Sequence, residues 1–225
     1  MHAALRPAAL AVFAFATPAV ADPLQDQLLL AMRRTDTADV AFASTTAIER
    51  TGAAAQEIVT RYDPRAPAGR RWAVLRFDGR APTPKETAQV LKAATAAPMP
   101  GYGRLARWFG APATRVAQAP GSVTYRFARL PAGVLKIGNH DASADTQADV
   151  VVNTRATPFV ERVRFTSTKP FRMMLVASVQ RYAFTSTYAL LPDGRPFPAA
   201  NDSEIAGAMM GKAGTLRTRT RYAPR

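Results

Sequence analysis

WAVLRFDGRAPTPKE, residues 72–86, passes from strand to turn to helix within fifteen positions. Trp72 to Phe77 alternates, with Ala73, Leu75 and Phe77 on one face and Trp72, Val74 and Arg76 on the other. Both faces carry bulk, so this strand is expected in the middle of a sheet. Asp78-Gly79 ends it as a turn. Thr83-Pro84-Lys85-Glu86 then opens a helix. Thr83 is the N-cap, Pro84 stands where its missing N–H costs nothing, and Glu86 reaches back to close a capping box. The helix is expected to run to about Ala96 with Val90, Leu91 and Ala94 as its buried stripe, and Pro98 and Pro100 stop it.

Upstream, two more strands alternate. Val40, Phe42, Ser44, Thr46 and Ile48 fall on one face of Asp39–Arg50, and Glu57–Tyr62 follows after Thr51-Gly52. Asp22 to Arg34 reads as a helix, with Asp22 as cap, Pro23 at the first helical position, and Leu24, Leu28, Ala31 and Met32 on one stripe. Downstream, Tyr102–Phe109 is expected to make a short second helix that places Leu105, Trp108 and Phe109 against apolar neighbours. Strand patterns then return at 123–129, 149–154, 159–167, 176–190 and 215–222. Pro120-Gly121, Pro131-Ala132-Gly133 and Pro192-Asp193-Gly194 separate them. Asn139–Gln147 reads as a polar loop. Within 196–214, Ile205 to Met210 is compatible with a helical turn.

Residues 1–21 read as a cleavable secretory signal. Arg6 precedes an apolar run from Ala8 to Ala16, and Ala19-Val20-Ala21 supplies the small residues of a cleavage site. The run is shorter than the roughly 20 apolar residues a membrane helix needs. The expected mature protein is residues 22–225, a single domain in the periplasm, soluble or at most peripheral to a membrane. The chain contains no cysteine, which excludes disulfides, thiolate metal sites and a lipid-modified N-terminal Cys.

Lys and Arg number 30 against 16 Asp and Glu. Arg6 alone of the basic residues lies in the signal, so the mature chain remains strongly cationic. Such a balance attracts anionic partners. Yet arginine outnumbers lysine 25 to 5 and alanine abounds, which is also the imprint of a GC-rich genome. Arg217, Arg219 and Arg221 share one face of the last strand. They read either as an anionic contact strip or as the outward face of an edge strand, where charge blocks pairing with other chains.

Catalytic patterns are sparse. The mature part holds one histidine, His140, and there is no Gly-x-Ser-x-Gly elbow and no Gly-rich phosphate loop. Asp141, Ser143 and Asp145 are spaced like the start of a calcium loop. Thr146 stands where the turn glycine belongs, and no Glu occupies the twelfth position. A solvated loop bonding to its own backbone is the expectation, with no metal and no cofactor. An enzyme is not expected. The methionines Met173, Met174, Met209 and Met210 suit either a core or a promiscuous apolar ligand.

The layout of an N-terminal helix, three strands, a helical interruption and further strands implies an α+β domain built on an open, curved antiparallel sheet. With the Trp-x-x-Leu-x-Phe-Asp-Gly-Arg-x-Pro-Thr stretch at Trp72–Thr83, it resembles the LolA-like (outer-membrane lipoprotein carrier-like) periplasmic proteins, especially their uncharacterised proteobacterial branch. The likeness covers most of the mature chain in layout, and Trp72–Glu86 and Phe159–Arg172 in sequence. It implies a half-open barrel covered by the N-terminal helix and the central helical pair, enclosing an apolar cavity for lipoprotein acyl chains or other lipids. The outer-membrane receptor role in that group needs an N-terminal lipidated Cys and is excluded here. Phe42, Trp72, Val74, Val90, Leu91, Leu105, Phe127 and Phe165 are the candidate cavity residues. The alternative is an envelope interaction module that holds a protein or an anionic glycan through its arginines. No nucleic-acid partner is expected.

Overall fold

The computed structural model describes residues 22–97, 99–173 and 177–225. The expected signal peptide, Pro98, Met174 and the first residue of the strand expected from Val176 lie outside the described residues. Helix α1 (Pro23–Arg34) leads into β1 (Phe42–Arg50), β2 (Gln56–Tyr62) and β3 (Trp72–Phe77). Helix α2 (Pro84–Ala96) and a 3-10 turn at Tyr102–Arg107 interrupt the strands. Then come β4 (Thr114–Ala119), β5 (Ser122–Phe127), a small hairpin of β6 (Lys136–Ile137) and β7 (His140–Asp141), and β8 (Thr146–Asn153). The chain finishes with β9 (Phe159–Ser167), β10 (Phe171–Met173), β11 (Ala177–Leu190), β12 (Pro196–Met209) and β13 (Lys212–Pro224).

One large antiparallel sheet runs in the order β3-β2-β1-β13-β12-β11-β9-β8-β5-β4, with β10 paired to β11. Its two outermost strands, β3 and β4, do not meet, so the sheet is open. The class is α+β, as the sequence implies. The long β1–β13 ladder, from Phe42 opposite Pro224 to Arg50 opposite Leu216, joins the N-terminal strands to the C-terminal hairpin.

Several expectations are corrected. β3 is an edge strand, paired with β2, and not a central one; its bulk does not call for a second strand neighbour, since α2 packs against the strand and Leu75 is left exposed. β3 also carries a bulge: Val59 pairs with Arg76 and Thr60 with Val74, so Leu75 has no partner. The extra residue shifts the alternation and brings Phe77 onto the face of Trp72. Ile205–Met209 is strand rather than helix, and Met210 opens the turn after it, since β11 and β13 satisfy the strand's backbone on both sides and override local propensity. The strand of Arg217, Arg219 and Arg221 is central, between β1 and β12, and not an edge.

Asn139–Gln147 is no solvated loop. Ala142, Ser143 and Thr146 are fully buried, and Ile137 and Ala142 pack with Val179 and Tyr182. Asp141 ties the segment down, accepting from Ser143 N–H and Oγ–H and from Gly133 N–H. Thr146 Oγ1 lies 2.6 Å from Tyr182 OH.

The main core covers one half of the sheet's inner face. Leu28 and Met32 of α1 and Tyr102, Leu105, Trp108 and Phe109 of the 3-10 segment pack onto Val123, Tyr125 and Phe127 of β5 and Val150 and Val152 of β8. Tyr102 OH accepts from Val160 N–H at 2.9 Å, and burial pushes its phenol up to about 12. Gln25 Nε2 donates to the Phe109 and Ala111 carbonyls, which pins α1 across the segment. Truncating Leu28 to Ala in so dry a site costs about 2–5 kcal/mol. Over the inner face of β3, β2, β1 and β13, α2 and a smaller cluster about Phe42, Tyr62 and Phe197 take the place of that cover.

Candidate functional site: a cleft beneath α2

Helix α2 is rooted firmly at its start. Asp78 and Gly79 both have positive φ in a two-residue turn, and Asp78 Oδ1 accepts from Glu57 N–H at 2.7 Å. Arg80 grips Glu86 with two hydrogen bonds of 2.9 and 2.7 Å, while the Thr83–Glu86 capping box closes beside them. The Arg80 guanidinium foremost, with the Thr83 N–H, holds the Glu86 carboxyl down at about 2. Beyond this root the helix buries no residue fully, and its principal contacts are with β3. Past its end, Met99 packs against the cluster about Phe42 and Tyr62. A helix half-buried along its length is held by fewer apolar contacts than the main core.

Between α2 and the sheet lies a cleft of about 510 Å³, within the range of small-molecule sites. Ser44, Thr46 and Ile48 of β1, Ile58 and Thr60 of β2, and Thr220 of β13 form its floor. Trp72 and Phe77 wall it on the β3 side, and Val90, Ala93 and Ala94 of α2 roof it. Arg50 and Gln56 line it as well, and no acidic side chain does among the described residues.

The floor mixes paired hydroxyls with apolar groups. Ser44 and Thr60 stand directly opposite in the ladder, with their hydroxyl oxygens 2.8 Å apart. Thr46 and Thr220 do the same across β1 and β13 at 3.1 Å. In each pair one hydroxyl donates and the other accepts, which meets part of their hydrogen-bonding capacity, and the threonine methyls are the apolar part of the floor.

Aromatic rings close one end. Phe42 is buried at the hub, with ring centroids 5.4 to 5.7 Å from Tyr62, Trp72, Phe197 and Tyr222. On the far side of Trp72 a second hollow of about 300 Å³ is lined by Leu91, Thr95 and Met99. A third, of about 210 Å³, lies between the 3-10 segment and β11–β12.

The eight candidate cavity residues therefore scatter. Trp72 and Val90 line the cleft, and Leu91 faces the hollow beyond Trp72. Val74 shares the Trp72 face by register but is not part of the cleft wall. Phe42 is the buried end hub, Phe127 belongs to the solid core, and Leu105 and Phe165 line the third hollow. They do not form one cavity, because the 3-10 segment and α1 fill half of the sheet's inner face. Sequence reasoning missed Ser44, Thr46, Thr60, Thr220 and Phe77. Alternation along 40–48 held the signal for the first two, and the β3 bulge concealed Phe77.

The arginine strip is paired. Arg217 reaches Glu204 at 3.1 Å, Arg219 reaches Glu49 at 3.2 Å and Arg221 reaches Asp202 at 2.6 Å, all on the outer face. With the acids interleaved, the ladder is close to neutral rather than a cationic strip. His140 stacks on Phe171 at 4.0 Å, and its Nε2 is 3.9 Å from Asp145 Oδ2. Asp145 already meets Lys169 at 3.0 Å, and Asp141 is spent on Ser143 and Gly133. No cluster of three His, Cys, Asp or Glu side chains converges among the described residues.

No family model matches the chain, and no curated protein or solved structure matches it either.

Proposed function

We propose that the chain is an exported LolA-like binding protein of the periplasm that carries lipoprotein acyl chains or other lipids in the cleft under α2. The carrying observation is that cleft: about 510 Å³, floored by methyls and paired hydroxyls, walled by Trp72 and Phe77, and roofed by a helix with no fully buried residue. Each methylene moved there from water contributes roughly 0.8 kcal/mol. In this reading the open sheet acts as a half-barrel, α1 and the 3-10 segment fix one side, and α2 is the moving cover. Among the described residues no histidine and no carboxylate lines the cleft, and in this reading it binds its ligand without turnover. Among the described residues no helix is long and apolar enough to cross a membrane.

The test is native mass spectrometry of the protein drawn gently from its own periplasm, followed by solvent extraction. An acylated mass at near-equal stoichiometry that survives high salt supports the carrier, since burial of apolar chains resists ionic strength and exposed charge contacts do not. A bare protein that captures an envelope protein or anionic glycan only at low salt overturns it in favour of the interaction module.

A further inference from the structure

The hollow beside the cleft differs from it in chemistry. Arg104, Arg107, Ser186, Tyr188 and Asn201 contribute to its lining, with Trp108 and Phe165 behind them. No acidic side chain lines it among the described residues. Pro100 belongs to both hollows. The wall between them carries the hydrogen bond from Asn201 Nδ2 to Tyr222 OH at 3.0 Å, with Asn201 on the hollow's side and Tyr222 on the cleft's.

Arg104 stands at this junction. Burial raises the phenols of Tyr188 and Tyr222, and Arg104 lies near enough to both to oppose that rise. Among the described residues eight arginines meet carboxylates: Arg80, Arg115, Arg126, Arg181, Arg195, Arg217, Arg219 and Arg221. Arg104 and Arg107, like most arginines of the chain, are in none of these pairs; what sets them apart is that both line one hollow. The nearest acid on β12, Asp202, is turned to the outer face and bonded to Arg221. Two guanidinium groups with no carboxylate partner among the described residues, beside hydroxyl and amide groups, have the donors an oxyanion needs.

We propose that this hollow is the head-group subsite for the cleft's ligand, and that the ligand is an amphiphile with an anionic head, phosphate or carboxylate, bound by Arg104 with Arg107 in support. The inference rests on the acyl-cleft reading and adds the polarity of the cargo and its direction. The apolar chain lies under α2, and the head passes Pro100 to reach the guanidinium groups.

The test measures binding of three probes with one acyl length to the intact protein and to Arg104→Gln: palmitate, 1-palmitoyl-lysophosphatidylglycerol and neutral monopalmitoylglycerol. Arg104 is solvent-exposed and makes no described ion pair, and circular dichroism checks that the variant is folded. The expected result is that at least one anionic probe binds roughly tenfold more tightly than the neutral one, the scale of a single charge-assisted hydrogen bond. Arg104→Gln removes that advantage and leaves monopalmitoylglycerol unchanged. The anionic probe that loses most identifies the head as carboxylate or phosphate. Equal affinity for all three probes, or an equal loss for all three in the variant, overturns the subsite while the cleft reading stands. If none of the three binds to the intact protein, the cleft reading itself falls, and the subsite with it.

Discussion

Replacing Asp22 by Ala removes three interactions at once. Its carboxylate caps α1, accepting from Leu24 N–H at 3.0 Å and Gln25 N–H at 3.3 Å. It receives two hydrogen bonds from Arg115, at 2.7 and 2.6 Å, and a third from Tyr125 OH at 2.8 Å. Arg115 chiefly, with Tyr125 and the Gln25 N–H, holds the Asp22 carboxyl at about 2 against an ordinary value of 3.8, burial opposing them. A shift of that size corresponds to about 2 kcal/mol. Because the Arg115 side chain is 41 % exposed, solvent screening reduces it to about 1 kcal/mol. Loss of the cap adds about 1 kcal/mol. Asp22→Ala is therefore expected to cost about 2 kcal/mol in urea unfolding at pH 7, read as a lower midpoint with an unchanged slope. Asp22→Asn keeps the capping oxygen and should cost about half as much. The folded carboxyl titrates below the unfolded one, so its contribution is present above pH 3.8 and is lost as the pH falls through about 2. The gap between wild type and Asp22→Asn should close over that interval. A loss below about 0.5 kcal/mol at pH 7 would refute the reasoning. So would a gap between wild type and Asp22→Asn that stays constant down to pH 2.

Other expectations follow from the same geometry. Ala94→Trp should fill the cleft and abolish retention of an acyl probe while the unfolding midpoint stays close to wild type, because Ala94 sits on the lid and not in the core; retained binding would move the ligand elsewhere. Gly207→Ala should destabilise by roughly 2–3 kcal/mol, since a Cβ there runs into the Ser178 carbonyl at the β11 bulge; a neutral result in thermal unfolding would contradict the close approach of those strands. Met210 heads a two-residue turn with φ +48° while 78 % exposed. Met210→Asn, which tolerates that conformation, should stabilise by roughly 0.5–1 kcal/mol in the same assay, and a loss of stability would count against the turn geometry.

The sequence determined much of the fold because many signals were local. The capping box at Thr83–Glu86, the Asp22–Pro23 start and the alternation along β1, β2 and β9 depend on residues within a few positions of each other, and they place these elements nearly to the residue. The helical reading of Ile205–Met210 failed because Ala206, Gly207 and Ala208 say little by themselves, and pairing with β11 and β13 decides their conformation. The arginines of β13 could be placed on one face from sequence. That they pair with Glu204, Glu49 and Asp202 depends on which strands lie alongside. The site shows the same division. Trp72 and Val90 were legible as apolar bulk on periodic elements. The cleft itself exists only because Ser44 meets Thr60, Thr46 meets Thr220 and a bulge turns Phe77 inward. Those are facts of long-range register, and the register that joins Thr46 to Thr220 spans 174 positions of the chain, a distance over which no local pattern carries information.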